Sequence, residues 1–239
     1  MKSGTASPLA LIALAGALAL TQGVSVSWAA KPLEKAPMSD DPLTLYADGA
    51  VMVATGKIDA AEKLANAALK DHPAAHGFHL ILGDVHVRRK HFADAYYEWQ
   101  WEFLRAGPGS TTGDLAANRI SNLLSSQRGP EVDEVRRVLD AVMLTVKDPK
   151  AAFLAFERVE AERGDRLALT QFKAEALHQQ GSEQAVDLYR ECIRVDSTLV
   201  AAYVQLASLH KSKGREKEAL ELMTKARGID PGNWRLRGM

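Results

Sequence analysis

Residues 200–233 read VAAYVQLASLHKSKGREKEALELMTKARGIDPGN, and residues 76–109 read HGFHLILGDVHVRRKHFADAYYEWQWEFLRAGPG. Each stretch carries two runs of helical periodicity separated by a short break. Laid over one another, they set Ala95-x3-Trp99 against Ala219-x3-Met223. The same pair recurs as Ala61-x3-Ala65 and Ala185-x3-Tyr189. Ala61 to Ala95 is 34 residues, and so is Ala185 to Ala219. A fixed period of this size marks stacked units, none of which buries its apolar face alone.

The period and the residues within it resemble the tetratricopeptide repeat, a helix–turn–helix unit whose first helix carries aromatic-x2-Leu-Gly-x2-Tyr. In 76–109 this reads His79-x2-Leu82-Gly83-x2-His86, followed by Ala95 and Trp99. In 200–233 it reads Tyr203-x2-Leu206-Ala207-x2-His210, followed by Gly214, Ala219, Met223, Ala226 and Pro231. In 42–75 it reads Leu45-x2-Asp48-Gly49-x2-Met52, with Gly56, Ala61, Ala68 and Pro73. The unit at 166–199 keeps Gly181, Ala185 and Tyr189, but its turn is one residue short and Ser197 stands in the Pro place. Small residues let paired helices approach closely, Gly56 and Gly214 end first helices, and Pro73 and Pro231 stop second helices. Trp99 is expected between paired helices.

Spacing fails in the middle. Ala95 to Ala185 is 90 residues, which is no multiple of 34. Helical patterns at 113–127, 131–146, 150–163 and 166–180 are punctuated by Gly107-Pro108-Gly109, Gly129-Pro130, Asp148-Pro149 and Gly164. The expectation is an all-α solenoid of about eleven helices, with one unpaired helix within 113–163 that re-aims the stack. The organisation reads as a signal peptide at 1–30, a flexible lead-in at 31–41 and two repeats at 42–109. An irregular helical segment follows at 110–165, then two repeats at 166–233 and a tail at 234–239.

The segment 1–30 has one charge, Lys2, then a thirteen-residue uncharged run, Pro8 to Leu20, and small Ser27 and Ala29 at its exit. These are the parts of a secretory signal, with cleavage expected near Ala29 or Ala30. The alternative is an uncleaved membrane anchor. The chain is balanced at 30 basic and 30 acidic residues, Lys2 included, which argues against a nucleic-acid binder needing a basic surplus. Its single cysteine, Cys192, excludes an internal disulfide framework and multi-cysteine metal sites.

Five of the seven histidines fall between His72 and His91. His76 and His79 share a helix face at metal-ligand spacing, but His79, His86 and His210 hold the aromatic places of the repeat, so packing is the preferred role. Ser208-x-x-Lys211 matches a nucleophile pair, but lies mid-helix without partner motifs. No cofactor and no catalytic group is assigned, and the chain reads as a non-enzyme. Cys192 reads as an inert packing thiol.

First helices of the family line a concave groove. By register its lining residues are Tyr46, Ala50, Leu80, Asp84 and Arg88, and in the last repeat Val204, Ser208 and Lys211. Tyr97 and Trp101, off the main stripe of Phe92, Tyr96, Trp99 and Phe103, form either a surface covered by the helix at 113–127 or an exposed aromatic patch. The C-terminal repeat, around Leu220, Met223 and Arg227, is expected to stay open for self-association or a partner. The resemblance and the signal together imply an exported adaptor, in the periplasm or secreted. Such an adaptor binds a protein or peptide in bacterial envelope assembly, secretion or maturation, and leaves no stable membrane insertion after cleavage. The alternative is a metal- or haem-handling protein using the His72–His91 cluster.

Overall fold

The structure, a computed structural model, describes residues 41–164 and 166–236. The expected signal peptide and nearly all of the expected lead-in lie outside the described residues. The described residues form eleven α-helices and a closing 3-10 turn. They are α1 (Pro42–Ala54), α2 (Ile58–Asp71), α3 (Phe78–Arg88), α4 (Phe92–Ala106), α5 (Thr111–Ser126) and α6 (Pro130–Lys147). Next come α7 (Pro149–Arg163), α8 (Leu167–Gln179), α9 (Gln184–Val195), α10 (Val200–Ser212) and α11 (Glu216–Ile229). The turn is Trp234–Leu236.

Local chemistry places the helix starts. Asp41, the last residue of the expected lead-in, caps α1 by accepting from the Thr44 amide at 2.9 Å. Pro42, Pro130 and Pro149 occupy first turns, where a missing N–H costs nothing. Ser110 caps α5 and Asp148 caps α7, each accepting from the amide three residues on.

Hairpins α1/α2, α3/α4, α6/α7, α8/α9 and α10/α11 each pack as pairs, and α5, left without a hairpin mate, packs on α4, which is already paired with α3. Close approach within a pair depends on small residues. At Gly83 a Cβ would overlap the Trp99 indole, which is 3% exposed and donates to the Leu80 carbonyl at 3.4 Å.

Stacking follows the hairpins until α5. Alternate helices α1, α3 and α5 touch in series, as do α6, α8 and α10. The lone α5 advances the alternation by one helix. In consequence α4, a second helix of its own hairpin, becomes the neighbour of the first helices α6, α8 and α10 and packs against all three. Twelve of its fifteen residues are buried, from Ala93 to Ala106. The largest core cluster is continuous from Leu80 through α4 to Leu209.

Candidate protein-interaction site

The inner faces of the two halves differ. In the C-terminal half the face is filled. Tyr97 donates its hydroxyl to Glu134 of α6 at 3.0 Å, and Arg163 holds the other oxygen of that carboxylate at 2.6 Å. The Arg166 guanidinium lies 5.7 Å over the Tyr97 ring. Trp101 donates its indole N–H to Asp196 at 3.0 Å. Arg105 donates to Thr198 at 3.2 Å and to the Pro73 carbonyl, tying the first half to the second. At the end of α4, Arg235 donates to the Leu104 carbonyl at 2.9 Å and Asn233 to the Arg105 carbonyl at 3.2 Å. Those carbonyls have no partner inside a helix that stops at Ala106.

Tyr97 and Trp101 therefore form no exposed patch: they are 8% and 6% exposed. Their polar partners come from α6, the loop before α8 and the loop before α10, while α5 (Thr111–Ser126), the expected cover, packs on α4 and adds Ala116, Ile120 and Leu123 to the same core cluster. Val204 is likewise no groove residue. It is buried with Val200, Tyr203, Ala226 and Leu236, because the closing turn folds back over it. Ser208 and Lys211 are exposed on α10. Leu220 is exposed and Met223 half-buried, while Trp234 packs onto the backbone at Gly107, so the C-terminal end is covered in part.

In the N-terminal half the inner face stays accessible. Arg119 of α5 forms a two-pronged pair with Asp84 of α3, Nε to Oδ1 at 2.6 Å and Nη2 to Oδ2 at 2.7 Å. Burial raises the pKa of the Tyr46 phenol on α1, and the Arg119 and Asp84 charges act on it from the other two helices. Burial also works against the charged Arg119 guanidinium, but Asp84 and Tyr46 outweigh it, so its pKa is raised. The helices α1, α3 and α5 are thus joined by Tyr46, Asp84 and Arg119, with Ala50 half-buried and Arg88 exposed. Leu80 departs from the expected lining: it is fully buried in the core cluster with Ala95, Tyr96 and Trp99. Arg119 was not anticipated, because its helix lies outside the repeat register; the sequence cue is that it is the one basic residue of α5.

The histidines divide by partner. His79 Nδ1 lies 2.7 Å from Glu98, and His76 Nδ1 lies 3.3 Å from Glu102. Each faces its own carboxylate, so the weak metal pairing of His76 with His79 is not supported. His210 is buried. Cys192 is fully buried, and burial first, then the Glu175 charge, pushes its thiol up to about 12, which keeps it protonated and unreactive. Among the described residues, no helix is long and apolar enough to cross a membrane.

Residues 52–111, from the end of α1 to the start of α5, match the family model described as tetratricopeptide repeat. No curated protein matches the chain. A solved structure of YrrB, described as a TPR protein with an unusual peptide-binding site, is 14% identical over 82% of this chain and 90% of its own, with a TM-score of 0.39.

Proposed function

We propose, from the premise that this chain is a tetratricopeptide-repeat protein, that it is an exported adaptor which binds another protein along the inner face of α1, α3 and α5. The observation that carries the reading is the contrast between the two inner faces. α4 fills the C-terminal one, so the accessible inner surface is the one around Tyr46, Ala50, Asp84, Arg88 and Arg119. A three-helix face of aromatic, small and charged groups suits an extended or helical segment of a partner. The two Arg119 nitrogens used by Asp84 leave further donor capacity on the guanidinium for a partner's carbonyl or carboxylate. The apolar run and small-residue exit of residues 1–30 direct the chain across a membrane, with cleavage near Ala29 or Ala30. The setting is envelope assembly, secretion or maturation, in the periplasm or outside the cell.

Site-specific photo-crosslinking from position 50 or 88 in the expressing cell tests the surface. Crosslinks to one partner from both positions, lost when the other position carries Ala50→Arg or Arg88→Glu, are expected. Crosslinks that arise only from positions 208, 211 or 220 would move the contact to the C-terminal repeat. N-terminal sequencing of the exported protein tests the rest: an intact Met1 would favour a membrane anchor.

A further inference from the structure

Two histidines and a carboxylate converge at the α3–α4 turn, away from the Tyr46–Arg119 face. His86 lies in the last turn of α3, His91 is the N-cap residue of α4, and Asp94 sits in the first turn of α4. One donor atom from each lies within 4.8 Å of the others. The two imidazole rings are 6.2 Å apart between centroids and tilted by 36°. Nδ1 of His86 is buried and has no hydrogen-bond partner, which is a costly state for a polar atom.

We propose that His86, His91 and Asp94 bind a divalent transition-metal ion, with zinc the best match. Two imidazoles and one carboxylate are the donors that zinc takes, whereas magnesium and calcium prefer all-oxygen shells. Three protein ligands leave a fourth position for water. Zinc bonds of about 2.0–2.2 Å require the donors to draw closer than 4.8 Å. His91 is exposed, so its imidazole can swing inward without moving core atoms. Asp94 is already oriented: its Oδ1 accepts from Arg166 at 2.7 Å, which leaves Oδ2 for the ion. Hydrogen-bonded carboxylate ligands of this kind are a regular part of metal sites. The Arg166 charge opposes the ion and lowers affinity. Arg89, in the same turn, is engaged by Asp59 and Glu62 of α2. His76 and His79 are held by Glu102 and Glu98 and take no part. An ion here would clamp the end of α3 to the start of α4.

Titrating the purified full-length chain with zinc chloride, by calorimetry and by thermal unfolding, tests the site. One equivalent is expected to bind, and free zinc at about 100 times Kd is expected to raise Tm by roughly 5–10 °C. His91→Ala and Asp94→Asn are expected to abolish both effects, and His79→Ala to leave them. Cobalt substituted for zinc is expected to show the intense visible bands of a tetrahedral site, lost in His91→Ala. His91 is exposed, so its alanine variant retains the fold and the comparison stays interpretable. The assignment is overturned by an unchanged Tm with no bound zinc, by binding that survives His91→Ala, or by binding that follows His79.

Discussion

The two halves of the chain stack the same hairpin, yet their inner faces end in opposite states. α1, α3 and α5 keep theirs accessible around the Asp84–Arg119 pair, whereas α6, α8 and α10 close on α4. The cause is one unpaired helix. After α5, helices that were second members of a pair become neighbours of first members, and α4 passes from one layer to the other. A repeat array can thus fill part of its own groove without losing the repeat.

The strongest way to break this comparison is to empty the filled groove. Trp101→Ala removes a buried indole and takes the indole donor from Asp196 Oδ2, and is expected to destabilise the fold by about 3–5 kcal/mol in chemical denaturation. Trp99→Ala, on the face of α4 that meets Gly83, is expected to cost a similar amount. A loss below about 0.5 kcal/mol at Trp101 alone, the usual result at a surface position, would mean that the second half does not grip α4.

Two buried carboxylates sharpen the contrast through opposite pH dependences. Glu102 faces the first half, accepting from the Gly77 amide at 2.9 Å. Burial raises its pKa, but His76, His79 and Arg105 outweigh burial and hold it below the ordinary 4.5. Its contribution is therefore complete above pH 4.5 and is lost as pH falls through the depressed value. Glu102→Gln is expected to cost about 1.5–3 kcal/mol at pH 7 and to weaken the loss of stability on acidification. Glu175 faces the second half, bonded at 3.2 Å by Gln171. Burial pushes it up to about 7, against the smaller opposing effects of Gln171 and Arg235. The folded state then holds a proton that the unfolded chain has released, so stability falls as pH rises from 4.5 to about 7. Glu175→Gln is expected to flatten that window and to add about 1–2 kcal/mol at pH 8, read from urea midpoints across pH.

What was legible follows from where the information lies. The 34-residue spacing of Ala61, Ala95, Ala185 and Ala219 records contacts inside a hairpin, which are local and repeat with the sequence. The pro-gly breaks placed the middle helices to within about two residues, since caps and prolines act locally. The burial of Tyr97 and Trp101 depends on Glu134 and Asp196, far along the chain, and on a change of frame at α5 that has no periodic signal. Leu80 and Val204 were placed in the groove by register, but register fixes only the direction around the helix, not what the neighbouring element covers. Arg119 escaped because α5 lies outside the repeat register altogether.

The smallest effect concerns the turn between α3 and α4. Four hairpins close their turns with the same wide backbone bond: Lys57 to Met52, His91 to His86, Ser182 to Leu177 and Arg215 to His210, all between 2.8 and 3.0 Å. The residue before each of those donors has positive φ. It is Gly56, Gly181 and Gly214 in three turns, but Lys90, at 65°, in the α3–α4 turn. A side chain in this left-handed conformation is strained by about 1 kcal/mol, whereas glycine is not. Lys90→Gly is therefore expected to stabilise the fold by about 0.5–1 kcal/mol, after allowing for the greater freedom of glycine in the unfolded chain. Gly214→Lys, the reverse change in the second half, is expected to cost a similar amount. Both are to be measured with a chelator present, so that any ion held by His91 does not add to the difference. Loss of stability on Lys90→Gly would show that the lysine stem packs against the turn, and that the first half tolerates the strain because of that contact.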